Sequence, residues 1–297
     1  MSDKQDQLKE KIRELEGELA AKEAELAQMR LRLSATNVRL ESVIDRIGHE
    51  IKLASKLQRL LSPVEMPNIA GFEFSTKFVP GTRSGGDYFD IFEHEDRLRF
   101  GIVLSSSSGY TMSALFLSVL MKISSKMEAR RGLEPHEMIA TIQREMGPEM
   151  KNDDRASLFY AVVDRRNFEM NYCSWGDTSA YLQLHGEDAL TRLEAQAPAL
   201  NKLSSVEART MKVLLNPRDR LILCSDGVAK TANIEGKAWG ESGLRDAIRS
   251  APRQGVHELR NEILYRNENF SGKHEPDRDQ TVLVLEVKDK VIKLAKN

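Results

Sequence analysis

The sequence predicts an α+β fold in which sheets are sandwiched by helices, with a long polar helix in front. Three observations predict it. Strand-like runs follow one another in blocks instead of alternating with helices, so neighbouring strands are expected to pair antiparallel. Helical runs come in two pairs, 111–131 with 134–150 and 240–250 with 255–270. The first fifty residues carry a heptad repeat and little else.

The repeat is read from Leu8, Ile12, Leu15, Leu19, Leu26, Met29, Leu33, Leu40, Val43 and Ile47. Lys22 and Thr36 interrupt the seam. Between these positions stand Glu, Lys, Arg, Gln and Ala, all strong helix formers. A helix this polar gains stability by burying its seam against a partner, which predicts a coiled coil and a homodimer. The helix should run on through 50-EIKLASKLQRLLSP-63 until Pro63 and Pro67 end it. The expected organisation is a coiled-coil helix over 1–49, a helical linker over 50–68, a globular domain over 69–288 and a basic tail over 289–297.

Within the domain, runs rich in Val, Ile, Tyr and Phe predict strands at 72–79, 97–104, 156–164, 168–175, 179–185, 209–215, 219–226 and 280–288. The second run stops at four serines, 105–108, which read as a loop leading through Gly109 into a helix.

Composition narrows the function. The chain has 297 residues and 44 basic against 45 acidic side chains, so no basic face for nucleic acid is indicated. Cys173 and Cys224 lie inside apolar runs and read as buried thiols in a reducing compartment. The charged N-terminus does not resemble a signal peptide, and no apolar run is long enough for a membrane span, so a cytoplasmic protein is expected. The six histidines show no i, i+4 pair that would suggest zinc.

Three acidic spots lie beside glycine or at strand ends: 84-SGGDYFDIF-92, 223-LCSDGVAK-230 and 274-HEPDRDQTVLVLEV-287. Each alone is a turn or a cap. Carboxylates that converge at strand ends from distant parts of a chain are how hard divalent cations are held.

The ordered set of motifs resembles the metal-dependent serine/threonine protein phosphatases of the PPM superfamily, in the SpoIIE–RsbU branch. The resemblance runs over about 52–288. It rests on 54-ASKLQRLLSP-63, 85-GGDYFD-90, 106-SSSGYTMSAL-115, 225-SDGV-228 and 278-RDQTVLV-284. It implies an α-β-β-α sandwich of two mainly antiparallel sheets. It also implies a site around Gly86, Gly109 and Gly227, and a pair of Mg²⁺ or Mn²⁺ ions held by carboxylates.

Here the chain departs from the family. Where the branch has the aspartate that holds the metal centre together, this chain has Ser106; where the final motif has a ligand aspartate, it has Arg278. The family's Asn-Ala-Gly-His turn has become 174-SWGD-177, and Thr111 replaces a glycine. Asp87 and Asp226 remain as expected ligands. A serine hydroxyl cannot offset the repulsion between two dications, and an arginine adds positive charge where a cation should sit. Asp90, or Asp279 after a slip of one residue from Arg278 (with Asp277 on its other side), would be the substitutes, although such a slip turns a side chain to the opposite face.

The resemblance therefore implies a catalytically impaired phosphatase-fold module that needs no metal. It would bind a phosphoregulated protein, such as an anti-sigma-factor antagonist of a partner-switching pathway. The competing expectations are an active Mn²⁺- or Mg²⁺-dependent phosphatase with altered ligation, and a coiled-coil scaffold that the globular part merely caps.

Overall fold

The computed structural model of the protein describes residues 2–61, 66–82, 86–108, 132–150, 152–186, 189–204 and 207–288. The expected helix 111–131, Gly109, Thr111 and the tail 289–297 lie outside the described residues. The chain divides into two compact units, Met1–Leu53 and Ala54–Asn297.

The helix α1, Ser2–Leu61, makes up the first unit as far as Leu53, and its residues 54–61 are counted with the second. Its seam residues Leu15, Leu19, Leu26, Met29, Leu33 and Leu40 are each more than half exposed in the single chain. The two seam interruptions are absorbed locally: Lys22 pairs with Glu25 at 3.2 Å, and the Thr36 hydroxyl donates to the Arg32 carbonyl at 2.8 Å.

In the second unit the first sheet has the order β1-β10-β9-β6-β7. Its strands are β1 Phe72–Val79, β6 Ser179–Gln183, β7 Leu190–Arg192, β9 Arg220–Cys224 and β10 Gln280–Val287. The second has the order β2-β3-β4-β5-β8, built from β2 Gly86–Glu93, β3 Arg99–Ser108, β4 Arg155–Asp164, β5 Glu169–Trp175 and β8 Met211–Leu214. All strand pairs are antiparallel.

Alternation along each strand makes the layers. Phe89, Ile91, Ile102, Leu104 and Phe159 of the second sheet meet Leu221, Leu223, Leu283 and Leu285 of the first in one buried cluster between the sheets. The intervening residues face outward. Val103, Tyr160 and Trp175 pack under α2, Pro135–Met146, through its Met138, Ile139, Ile142 and Met146. Ile222, Val282 and Val284 pack under α3, Gly240–Ser250, and α4, Val256–Ser271. This is the α-β-β-α sandwich expected from the motifs.

Three local expectations are corrected. β3 does not stop at the serines but continues through Ser108, because both neighbours hold it: Ser105 to Ser107 pair with Tyr88 to Gly86 on one side and with Leu158 to Ala156 on the other. Ladder hydrogen bonds use backbone groups, so a strand that is paired on both sides overrides serine's modest β propensity. The segment Gly86–Glu93, read as a turn with Asp87 at a strand edge, is a full strand. Finally, β9 ends at Cys224 and Asp226–Ala229 forms a single helical turn, so Gly227 lies inside a helical turn.

Candidate functional site

The site lies where the two sheets' strand ends meet. Register places Asp87 of β2 directly opposite Ser106 of β3. By alternation both share a face with Phe89, Ile91, Ile102 and Leu104, the face turned to the other sheet. Ser105 and Ser107 point the other way, toward Ile139 and Ile142 of α2. Of Ser105, Ser106 and Ser107, it is therefore Ser106 that reaches the acidic site, and the Ser107 hydroxyl instead donates to the Gly86 carbonyl at 3.0 Å.

The other sheet contributes Asp226 and the lead-in to β10. Ser225 and Thr281 lock these together: Ser225 N–H donates to the Thr281 carbonyl at 3.0 Å, and Thr281 N–H donates to Ser225 Oγ at 2.9 Å. Thr281 Oγ1 then donates across the sheets to Asp87 Oδ2 at 2.8 Å. Gly227 allows the closest approach, since a Cβ there would lie 2.0 Å from the Asp279 carbonyl oxygen. Behind the turn, the buried Asn267 of α4 donates to the Val228 carbonyl and accepts from Thr231 and Gln280, which fixes the segment carrying Asp226.

Asp226 is surrounded by donors. Ser106 Oγ donates to its Oδ1 at 2.6 Å. Lys230 Nζ lies 3.0 Å and Arg278 Nη1 3.3 Å from its Oδ2. Lys230 also pairs with Asp177 at 2.6 Å. Partial burial works against the charge of Lys230, but its hydrogen bonds and charge interactions with Asp177 and Asp226 outweigh this and hold the ammonium above its ordinary value. Asp87 is in the opposite situation. Burial first, and the Asp279 carboxylate second, push its carboxyl well above the usual range, against the hydrogen bonds of Ser225 and Ser106.

The two substitutes do not complete a ligand set. Asp90 is three residues from Asp87, so alternation puts it on the opposite face of β2, where it accepts from Tyr88 Oη at 3.0 Å and Ile91 N–H at 2.9 Å. Asp279 is buried beside Asp87, but its oxygens accept backbone N–H groups, Gly81 at 2.8 Å and Asp87 at 3.5 Å. Asp277 pairs with Lys273 at 3.0 Å.

Sequence reasoning missed Lys230, Arg155 and Ser157, and met Asp177 only as the last residue of the altered turn 174-SWGD-177. With Ser106, Asp226 and Arg278 they line a cavity of about 300 Å³. The signal for Lys230 was available, since it stands four residues after Asp226. Ser157 had none, because it is brought in only by the pairing Ser106↔Ser157.

A pair of divalent ions needs several ionised oxygens free to face metal. The donor set does not fit it. Both oxygens of Asp226 are taken by a hydroxyl and two cations, and Arg278 stands beside it as a fixed positive charge. Among the described residues no group of three or more His, Cys, Asp or Glu is arranged to hold a metal ion.

The family model for stage II sporulation protein E matches residues 96–288. The chain belongs to the SpoIIE family. Its fold is similar to that of solved structures. The SiaA PP2C domain of Pseudomonas aeruginosa is 19% identical with a TM-score of 0.66, covering 83% of this chain and 99% of that one. The RsbU and RsbW domains of a Mycobacterium tuberculosis protein are 19% identical with a TM-score of 0.62, covering 77% of this chain and 63% of that one. Protein IcfG of Synechocystis sp. is 22% identical over 227 residues, 67% of this chain. The chain spans only 35% of the length of that curated relative. Among solved structures of the fold, one holds magnesium and another two manganese ions. This SpoIIE-family chain keeps the fold and, at two of the four positions where carboxylates were expected, has Ser106 and Arg278 instead.

Proposed function

We propose that this SpoIIE-family chain is a regulatory pseudophosphatase. It binds a phosphoregulated protein of the anti-sigma-factor-antagonist kind without hydrolysing its phosphate ester, and it does so as a homodimer. One observation carries the loss of catalysis: Ser106, Lys230 and Arg278 occupy both oxygens of Asp226. A guanidinium and an ammonium can bind phosphate, but they cannot generate hydroxide by lowering the pKa of a bound water as a metal does. Ser106 and Arg278 are then the degenerate positions, and Asp87 and Asp226 are residual ligands without ions to hold. No helix among the described residues is long and apolar enough to cross a membrane, which fits a regulator working in the cytoplasm.

The test is phosphate release from a phosphoserine peptide with excess Mn²⁺. The expected rate equals the buffer control. Turnover that Mn²⁺ supports and a chelator abolishes would favour the active phosphatase with altered ligation.

Dimerisation is supported by the exposed seam of α1. A coiled coil would cover the apolar side chains of Leu26 and Leu33, now 54% and 64% exposed. Replacing both with lysine puts four like charges in one seam of a dimer. Light scattering should give a dimer for the wild type and a monomer for Leu26→Lys/Leu33→Lys. A wild-type monomer would exclude the coiled coil.

A further inference from the structure

We infer that α1 pairs antiparallel with a second copy of itself, about a two-fold axis between Ala27 and Gln28. This deepens the homodimer proposed above and rests on it: the exposed seam calls for a partner helix but does not set the direction in which that helix runs.

The interruptions of the seam set the first condition. Parallel helices in register would place each seam residue against its own copy. Lys22 would face the partner's Lys22, two ammonium groups converging on one apolar layer. Turned antiparallel about that axis, Leu15 meets the partner's Leu40 and Leu26 the partner's Met29. Lys22 meets the partner's Leu33, where its stem can lie on the seam while the ammonium reaches water. Thr36 meets the partner's Leu19. Its hydroxyl already donates to the Arg32 carbonyl, which leaves its methyl group for the leucine. Each interruption is thus covered by a leucine, and Lys22 and Thr36 no longer face their own copies.

The charges beside the seam point the same way. Its flanks carry Glu16, Glu18, Glu23 and Glu25 over one stretch, and Arg30, Arg32 and Arg39 with Asn37 over the next. All of them are exposed. In an antiparallel pair the acidic stretch of each copy runs along the basic stretch of the other. In a parallel pair glutamates lie along glutamates, with Glu18 facing the partner's Glu23. Attraction is then left at the borders, Lys11 with Glu16 and Glu25 with Arg30. Like charges opposed in this way select against a pairing. The contact between Lys22 and Glu25, 3.2 Å within the chain, is exposed on both sides and is exchanged at little cost. Lys11 against the partner's Arg46 opposes the antiparallel pair at each end, outside the two stretches. The two chains then leave the paired helices at opposite ends, whereas a parallel pair would deliver both at one end.

The experiment is double electron–electron resonance on the full chain, with a nitroxide at Arg13→Cys or at Ser42→Cys. Cys173 and Cys224 are fully buried and stay unlabelled. Antiparallel helices put each label and its copy roughly 29 residues of helix apart, about 44 Å. Mixing the two variants should add a short distance of about 20–25 Å, because Arg13 then lies level with the partner's Ser42. A short distance within each variant alone is the parallel pair and would overturn the inference. Unequal long distances for the two sites would overturn its axis. Charge gives a reading that needs no label. Glu18→Arg should weaken the dimer about tenfold in sedimentation equilibrium, and Glu18→Arg/Arg39→Glu should restore it. A tighter dimer for the single variant would contradict the antiparallel pair, since parallel helices gain when Glu18 no longer faces the partner's Glu23. The substituted positions are exposed, so the variants should fold, and circular dichroism checks that. The two proposals fail differently. A wild-type monomer in light scattering sinks the homodimer and this inference with it, whereas a wild-type dimer with short distances sinks the antiparallel direction alone.

Discussion

Ser106→Asp combined with Arg278→Asp should make the protein depend on manganese. The wild-type site is electrostatically closed, because Asp226 is matched by Lys230 and Arg278 and hydrogen-bonded by Ser106. The double substitution removes a guanidinium and places two new carboxylates beside Asp226 and the buried Asp87. Uncompensated buried charge costs about 3–5 kcal/mol. For a domain of this size that lowers Tm by roughly 6–20 °C in EDTA. Mn²⁺ at a hundred times its Kd should restore about 2.7 kcal/mol. A metal-activated water then becomes available, and Lewis-acid stabilisation of several kcal/mol corresponds to about 10²–10³-fold more phosphopeptide hydrolysis than in the wild type. Thermal melts with and without Mn²⁺, paired with a phosphate-release assay, measure both effects. A variant indifferent to Mn²⁺ in both would show that the missing carboxylates are not what disables the site.

Gly227→Ala should cost about as much stability by a different route. Its Cβ would sit 2.0 Å from the Asp279 carbonyl oxygen and 3.2 Å from Arg278 Cβ. The first is a backbone atom and cannot rotate aside. The strand that follows is paired on both sides, with β1 and with β9, so it cannot retreat either. The turn bearing Asp226 must then move outward, breaking the Ser225–Thr281 hydrogen bonds. The expected loss is about 3–4 kcal/mol, a fall in Tm of roughly 6–16 °C. Gly147→Ala is the control, because a Cβ there meets nothing within 4 Å. It should stay within about 0.5 kcal/mol of the wild type. Equal melting of both variants would contradict the close approach on which the site is built.

The sequence shows the layers of this fold more readily than its junctions. Continuous apolar runs within 97–104 and 156–164 announce buried strands, and the heptads announce α1. β2 was hidden because glycine and aspartate density in 85-GGDYFD-90 reads as a turn, whereas pairing with β3 makes it a strand. The serines of β3 hid their own strand for the same reason. The motif order led to Asp87, Ser106, Asp226 and Arg278, and the structure brings Ser106, Asp226 and Arg278 into contact, with Asp87 opposite Ser106. It could not lead to Arg155 and Ser157, which arrive through the β3–β4 register, whereas Asp177, on the turn after β5, closes the altered motif 174-SWGD-177. Asp90 failed as a ligand because spacing along a strand decides its face, and an odd separation from Asp87 sends it to the wrong one.

Titration of the wild-type protein with Mn²⁺, followed by electron paramagnetic resonance of the free ion, tests the central claim most directly. If Arg278, Lys230 and Ser106 stand in for the metals at Asp226, the free-ion signal should rise from the first addition as it does in buffer. Sequestration of two ions per chain before free Mn²⁺ appears would contradict it.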